Sequence, residues 1–407
     1  MSPPLPSLSR PQTHFAILIV LGLTHLLNDL VQSLIPAAYP IIKDTYALDF
    51  AQIGIISLTF QVAGSLLQPI VGHYTDGRPM PYSTVVGMVF TLLGVLGLGF
   101  ASSYELILVS VASVGIGSSI YHPEATRMAR NASGGRQGFA QGLFQVGGQI
   151  GGALGPLLAA LVIAARGQES LAWFAGAPLV AIVLMVWTAG HHSAIRRQVT
   201  AATHSAATPS YRRHSQKTVL FGLVILTLLM FSKNAYSESF RSFYTFYLID
   251  RFDVSIKTSQ LMLFVLLFAS AVGALLGGIV GDRIGRQRII WISVLGPLPL
   301  TVLLPYVDFF WTGILTVVIN LIMASAFASL LIYAIELVPH RVGLIGGLFY
   351  GLTFGLGGVA AAVLGGLADS IGIESVYRIC SFLPLAGLLA WFLPRIEEDG
   401  RVRTDKG

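Results

Sequence analysis

Gly278 and Asp282 stand 206 positions after Gly72 and Asp76 in a chain of 407 residues, so the period is half the length. Asn28 with Asn234, Ser33 with Ser239 and Asp44 with Asp250 keep the same offset. Further along, Gly138 and Gly142-Leu143-Phe144 recur as Gly343 and Gly347-Leu348-Phe349 after a slip of one residue. Two halves that each carry a charged turn after their second hydrophobic stretch describe a duplicated membrane protein, the plan on which secondary transporters are built.

Composition agrees with that plan. Hydrophobic residues make up 54% of the chain and charged residues 11%, with a mean hydropathy of +0.74, so lipid must cover the surface. Apolar stretches near the ~20 residues needed to cross a bilayer begin close to Phe15, Ala51, Ser83, Glu105, Gly138, Leu171, Thr218, Thr258, Ile289, Phe310, Val342 and Ile373. Twelve spans divide into an N-terminal half, residues 1–190, and a C-terminal half, residues 218–407, around a basic linker, 191–217. The expectation is an all-α integral membrane protein of two pseudo-symmetric six-helix halves.

The short loops on one side collect arginines such as Arg78, Arg127, Arg130, Arg136, Arg283, Arg286 and Arg341, while the other side holds few basic residues. Lys/Arg bias sets topology, so both termini are expected in the cytoplasm. The same asymmetry accounts for the formal charge of +6 without a nucleic-acid partner. A lone Cys380 excludes an intramolecular disulfide, and the lack of CxxC and HExxH patterns argues against a metal site. No cofactor is expected, and no GxxxxGK[ST] is present to support an ATP-driven pump. The first apolar stretch is too long for a signal peptide and is expected to stay as helix 1.

Charged side chains inside a span are costly and therefore point inward. His25, Asn28, Asp29, Gln32 and Ser33 fall on one helical stripe, with Asp29 about 20 Å in from Phe15 at 1.5 Å per residue. Asp29 is the first proton-site candidate, with His25 and Glu124 beside it; the alternative for Asp29 is a fixed hydrogen bond to a neighbouring helix. Helix 7 carries Lys233, Arg241 and Tyr244 on one face with Glu238 on its flank. Lys233 reads either as the cation for an anionic solute or as an ion-pair partner of Asp29. Arg127, one turn from Glu124, reads either as an anion grip or as a structural clamp. Asn28, Gln32, Gln61 and Gln145 supply neutral hydrogen bonds. Gly147, Gly151 and Gly155 before Pro156, matched by Gly347, Gly351 and Gly355, make thin helix faces, read as a sliding surface between the halves.

These features resemble the major facilitator superfamily. Gly278-x-x-x-Asp282-Arg283-x-Gly285-Arg286 is similar to that superfamily's loop motif, and Gly151-x-x-x-Gly155-Pro156 is similar to its antiporter motif. The resemblance implies gating roles for Asp282, Arg283 and Arg286, and for Asp76 and Arg78 in the first copy, where Gly77 takes the motif arginine's position. A narrower resemblance covers nearly the whole chain. His25-Leu26-Leu27-Asn28-Asp29, Thr59-Phe60-Gln61, Gly117-Ser118-Ser119 with His122-Pro123-Glu124, Phe144-Gln145-Val146-Gly147-Gly148 and Phe231-Ser232-Lys233 look like the bacterial fosmidomycin resistance protein family. It implies a proton-coupled inner-membrane exporter of a phosphonate anion; a functional monomer is expected. The alternatives are a symporter importing an anionic metabolite, or a sensor or membrane-embedded enzyme that kept the fold. No paired-carboxylate, metal-ligand or Ser-His-Asp constellation supports the enzyme.

Overall fold

The structure is a computed structural model that describes residues 13–48, 50–78, 80–205 and 215–394. The middle of the expected linker and both tails lie outside the described residues, as do the side chains of Arg241 and Pro156. The protein is all helical. Its long helices are α1 (Phe15–Ala37), α2 (Ile55–Gly77), α3 (Ser83–Phe100) and α4 (Tyr104–Ala132), then α5 (Gln137–Leu158) and α6 (Gln168–His191). After the linker come α7 (Gln216–Phe252), α8 (Ile256–Ile284), α9 (Arg286–Tyr306), α10 (Phe309–Leu337), α11 (Val342–Ile371) and α12 (Ile373–Phe392).

Among the described residues, 11 helices are long and apolar enough to cross a membrane. The expected span near Gly138 is also a helix, α5, but it falls outside that count. Glutamines recur every fourth position along it, at Gln137, Gln141, Gln145 and Gln149, between many glycines. Such a helix is suited to the interior: α5 packs along α1 and across α8 rather than facing outward.

Local sequence sets the helix ends. The hydroxyl of Ser103 accepts a hydrogen bond from the Leu106 N–H, and the Asp308 carboxylate accepts one from Trp311, capping α4 and α10 at matching points of the two halves. Gly167 and Gly372, at φ +77° and +80°, turn the chain into α6 and α12, where a Cβ would be strained.

Three cores form. One lies within the first half, around Leu34, Val95, Val111 and Leu171. Another lies within the second, around Phe240, Tyr247, Ile319 and Tyr377. The third is shared: Leu21, Met128 and Phe144 pack in one cluster with Leu229, Leu330 and Phe349. The shared residues come from the starts of α1, α5, α7 and α11 and the ends of α4 and α10. The halves are thus joined at one end of the bundle and hold separate cores at the other. Outside, Leu58, Val109, Leu161, Val183, Leu220 and Trp391 are exposed, an apolar surface that suits hydrocarbon.

The glycine stripes separate in the fold. A Cβ on Gly147 would lie 1.8 Å from the Gly22 carbonyl oxygen, one on Gly151 2.3 Å from that of Leu26, and one on Gly155 1.8 Å from Ser33 Oγ. That stripe seats α1 against α5 within one half, which corrects the expectation of a surface between the halves. Only the second-half stripe crosses over: Gly347 and Gly351 meet the Gln68 and Ser65 carbonyls of α2. Across the other seam, Gly138 and Gly142 of α5 meet Gly278 and Ala274 of α8.

Candidate functional site

At the top of the shared core, three titratable side chains converge. Asp29 Oδ1 accepts hydrogen bonds from Asn28 (3.1 Å) and Gln32 (2.9 Å). Its other oxygen stands 3.2 Å from His25 Nε2, one helical turn away. From α4, His122 brings its Nε2 within 3.3 Å of His25 Nε2 and 3.7 Å of Asp29 Oδ1. Asp29 keeps 19% of its side chain open, whereas His122 is fully covered. Access to the cluster therefore runs through the carboxylate.

The surroundings hold the rings still. His25 stacks on Phe144 with centroids 4.1 Å apart, and His122 lies 4.6 Å from the Tyr350 ring of α11. The Tyr350 hydroxyl donates to Gln145 Oε1 (2.8 Å) and accepts from Gln141 (3.0 Å), tying the two halves together beside the cluster. Tyr350 in turn contacts Phe327 of α10 at 5.1 Å, over which Lys233 Nζ stands at 5.8 Å, within cation–π range. Rings thus link Lys233 of one half to the acid of the other. Asn28 Oδ1 and Asn234 Nδ2, at matching positions of the repeat, are buried without a hydrogen-bond partner.

The remaining candidates lie elsewhere. Arg127 bonds Glu124 on its own helix and Asp76 at the end of α2 (2.8 Å). Tyr244 is fully buried in the second-half core, its hydroxyl 3.0 Å from Thr316 Oγ1. Gln61 lies against α11 at Gly358. Glu238 neighbours Gly357.

The joined end carries two matching latches. Asp76 accepts from the backbone N–H groups of Gly343 and Leu344, both at 2.8 Å, in the first turn of α11. Asp282 accepts from Gly138 and Phe139, both at 2.9 Å, in the first turn of α5. Each carboxylate satisfies donors that a helix start leaves open and sits at the positive end of its dipole. Arg127 pairs with Asp76. Arg286 pairs with Asp282 at 3.2 Å and with Glu336 at 2.7 Å. Arg127 therefore serves the first latch, where the repeat lacks its motif arginine. Among the described residues Arg78 reaches Tyr74, and Arg283 is exposed.

A model of the Major Facilitator Superfamily matches residues 21–362. The chain belongs to the major facilitator superfamily. Its relatives include the fosmidomycin resistance protein of Escherichia coli (strain K12), 50% identical over 95% of each chain. Another is the uncharacterized MFS-type transporter YfnC of Bacillus subtilis (strain 168), 38% identical over 94% of this chain and 93% of that one. By fold, this facilitator is similar to the E. coli fucose:proton symporter FucP in an outward conformation, with a TM-score of 0.71 at 15% identity, covering 94% of this chain and 98% of that one. The human organic anion transporter MFSD10 matches with a TM-score of 0.73 at 16% identity over 93% and 99% of the two chains. The protein is a multi-pass membrane transporter of this superfamily, not an enzyme.

His122 and Tyr350 were not among the residues singled out by sequence. His122 stood in the sequence as part of the His122-Pro123-Glu124 stretch that carries the family resemblance, with no role given to it. Its approach to His25 depends on how α4 crosses α1. His25, Asp29 and His122 are also the one group among the described residues whose ligand-type atoms could hold a metal ion, all lying within 4.8 Å. Neither histidine belongs to a metal-binding sequence pattern.

Proposed function

We propose that this facilitator is a proton-coupled antiporter of the bacterial inner membrane that exports a small anion of the phosphonate class, such as fosmidomycin. It works as a monomer by alternating access. The halves 1–190 and 218–407 rock about the central site while 191–217 connects them in the cytoplasm, where both termini also lie. The 50% identity to the fosmidomycin resistance protein over 95% of both chains carries this reading, and the Asp29 cluster supplies it with a proton site.

The joined, latched end faces the cytoplasm, so Asp29 is open to the periplasmic side. Protons enter there, on Asp29 and His25, and leave to the cytoplasm as the solute departs outward. Lys233 supplies the positive charge that an anion needs, with Asn28, Gln32 and Asn234 as hydrogen-bonding groups. Asn234 Nδ2 is a buried donor without a partner, costly until an acceptor arrives. Glu124, bound to Arg127, couples the proton site's helix to the Asp76 latch.

Inverted membrane vesicles with an acidified lumen test the reading. Fosmidomycin should accumulate in the lumen and dissipate the pH gradient as it enters. Uptake unaffected by the gradient removes the coupling, and movement only in the opposite direction makes the protein an importer.

A further inference from the structure

His25 Nδ1 lies 2.7 Å from the Phe144 carbonyl oxygen, and His122 Nδ1 lies 2.9 Å from that of Ser118. His122 Nδ1 also lies 3.1 Å from the Ser118 hydroxyl, which can accept as well as donate; a carbonyl oxygen only accepts, so the nearer partner of each ring favours hydrogen on Nδ1. That commitment decides the other nitrogen of each ring. A neutral imidazole protonated at Nδ1 has a bare Nε2, and the two Nε2 atoms face one another at 3.3 Å with the Asp29 carboxylate beside them.

With no further proton, two nitrogen lone pairs and a carboxylate would point at one another in a nearly dry site, with a net charge of −1. Such an arrangement is repulsive and poorly solvated. One proton resolves it. Placed on His25 Nε2, it is donated to Asp29 Oδ2 at 3.2 Å and is also shared towards His122 Nε2, and the unit becomes neutral.

We infer that His122 completes the proton site: His25, His122 and Asp29 form a single neutral unit around one shared proton, with both rings locked as Nδ1–H tautomers. This rests on the proton-coupled reading above and names its chemical group. A second proton, arriving through the open side of Asp29, makes both Nε2 atoms donors and gives the unit a charge of +1. Their contact then turns repulsive and drives His122 on α4 away from His25 on α1. Because Glu124 lies on the same helix as His122 and is bonded to Arg127, that movement reaches the Asp76 latch. Returning the second proton to the cytoplasm restores the neutral unit, so one proton is exchanged per cycle.

The other groups facing the unit favour this division. From α4, Tyr121 lies 6.2 Å from the His25 ring, its hydroxyl held by Thr24 and the Leu21 carbonyl. From α11, Tyr350 has its hydroxyl held between Gln141 and Gln145 of α5. Phe144 and Gly148 of α5, which border His25, bring no charge. Lys233 of α7 connects to the unit through Phe327 and Tyr350. The unit itself offers the shared proton three places to rest.

Nitrogen-15 magnetic resonance of histidine-labelled full-length protein in lipid vesicles tests this, with His25→Gln and His122→Gln for assignment. Both residues should show a protonated Nδ1 throughout the folded pH range, with averaged Nε2 signals that lose their averaging in either variant. In His122→Gln the second proton must go onto a carboxylate already paired with an imidazolium. Half-maximal export should then move about one pH unit lower. A bare Nδ1 on either ring, or an unchanged pH profile in His122→Gln, overturns the proposal. So does stoichiometric zinc bound by the wild type and lost in His122→Gln. If vesicles move no solute while the tautomers are as described, the transport reading fails and the shared-proton unit stands.

Discussion

At the scale of single residues, the position that supports the proton unit is Gly148. A Cβ there would lie 2.5 Å from His25 Cε1 and 2.7 Å from Asp29 Oδ2, whereas one on Gly152, a single turn along α5, would meet nothing within 4 Å. Overpacking of this kind costs about 1–3 kcal/mol, and here the displaced atoms are the ones proposed to share the proton. Gly148→Ala should therefore lower the thermal-unfolding midpoint and reduce gradient-driven export by roughly tenfold or more, since misplacing a reacting group by an ångström can cost that much. Gly152→Ala should change neither. Matching losses in both variants would point to helix flexibility rather than to the cluster. The sequence placed His25, Asn28, Asp29 and Gln32 on one stripe because they share a helix. It did not reveal that His122, 97 positions from His25, closes the same site.

At the scale of helices, the two aspartate latches hold together the helix starts and loops of the joined end. Each carboxylate accepts two backbone N–H groups of a helix in the opposite half, and glycine permits the approach. A Cβ on Gly72 would fall 2.0 Å from the Gly343 carbonyl oxygen, and one on Gly278 2.1 Å from that of Gly138. Losing a helix cap of this type costs about 0.5–2 kcal/mol, and leaving Arg127 without one of its two carboxylate partners adds to that. Asp76→Ala should thus shift the closed-to-open balance of this end by about tenfold, since 1.4 kcal/mol is a factor of ten. Thr126→Cys in a Cys380→Ser background reports it, because Thr126 is buried against Gly346 while the halves are joined. Its alkylation should accelerate correspondingly, and an unchanged rate would mean that Asp76 is not a latch. The repeat made Asp76 and Asp282 visible as a pair. Their partners were not visible, because backbone N–H groups carry no side-chain signature and Arg127 replaces a motif arginine from a different helix.

At the scale of the whole molecule, the halves share one core at the latched end and keep separate cores at the other, an arrangement in which the proposed rocking about the central site would open one end as it closes the other. If that motion is a single two-state transition, both latches act on the same equilibrium and their free energies add. The Asp76→Ala/Asp282→Ala double variant should then speed Thr126→Cys alkylation by the product of the single effects, about a hundredfold when each is about tenfold. A double variant no faster than the quicker single one would indicate two independent local openings. The helical class, the duplicated organisation and the family motifs were determined by the sequence alone, because hydropathy, helical period and a repeat offset are properties of order along a chain. Tertiary structure alone decided that α5 is an interior helix, that its glycines seat α1 instead of sliding on the other half, that Arg127 serves a latch, and that His122 meets His25 and Asp29. Those facts depend on how helices distant in sequence cross, and a crossing is set by the fit of whole surfaces that no local pattern records.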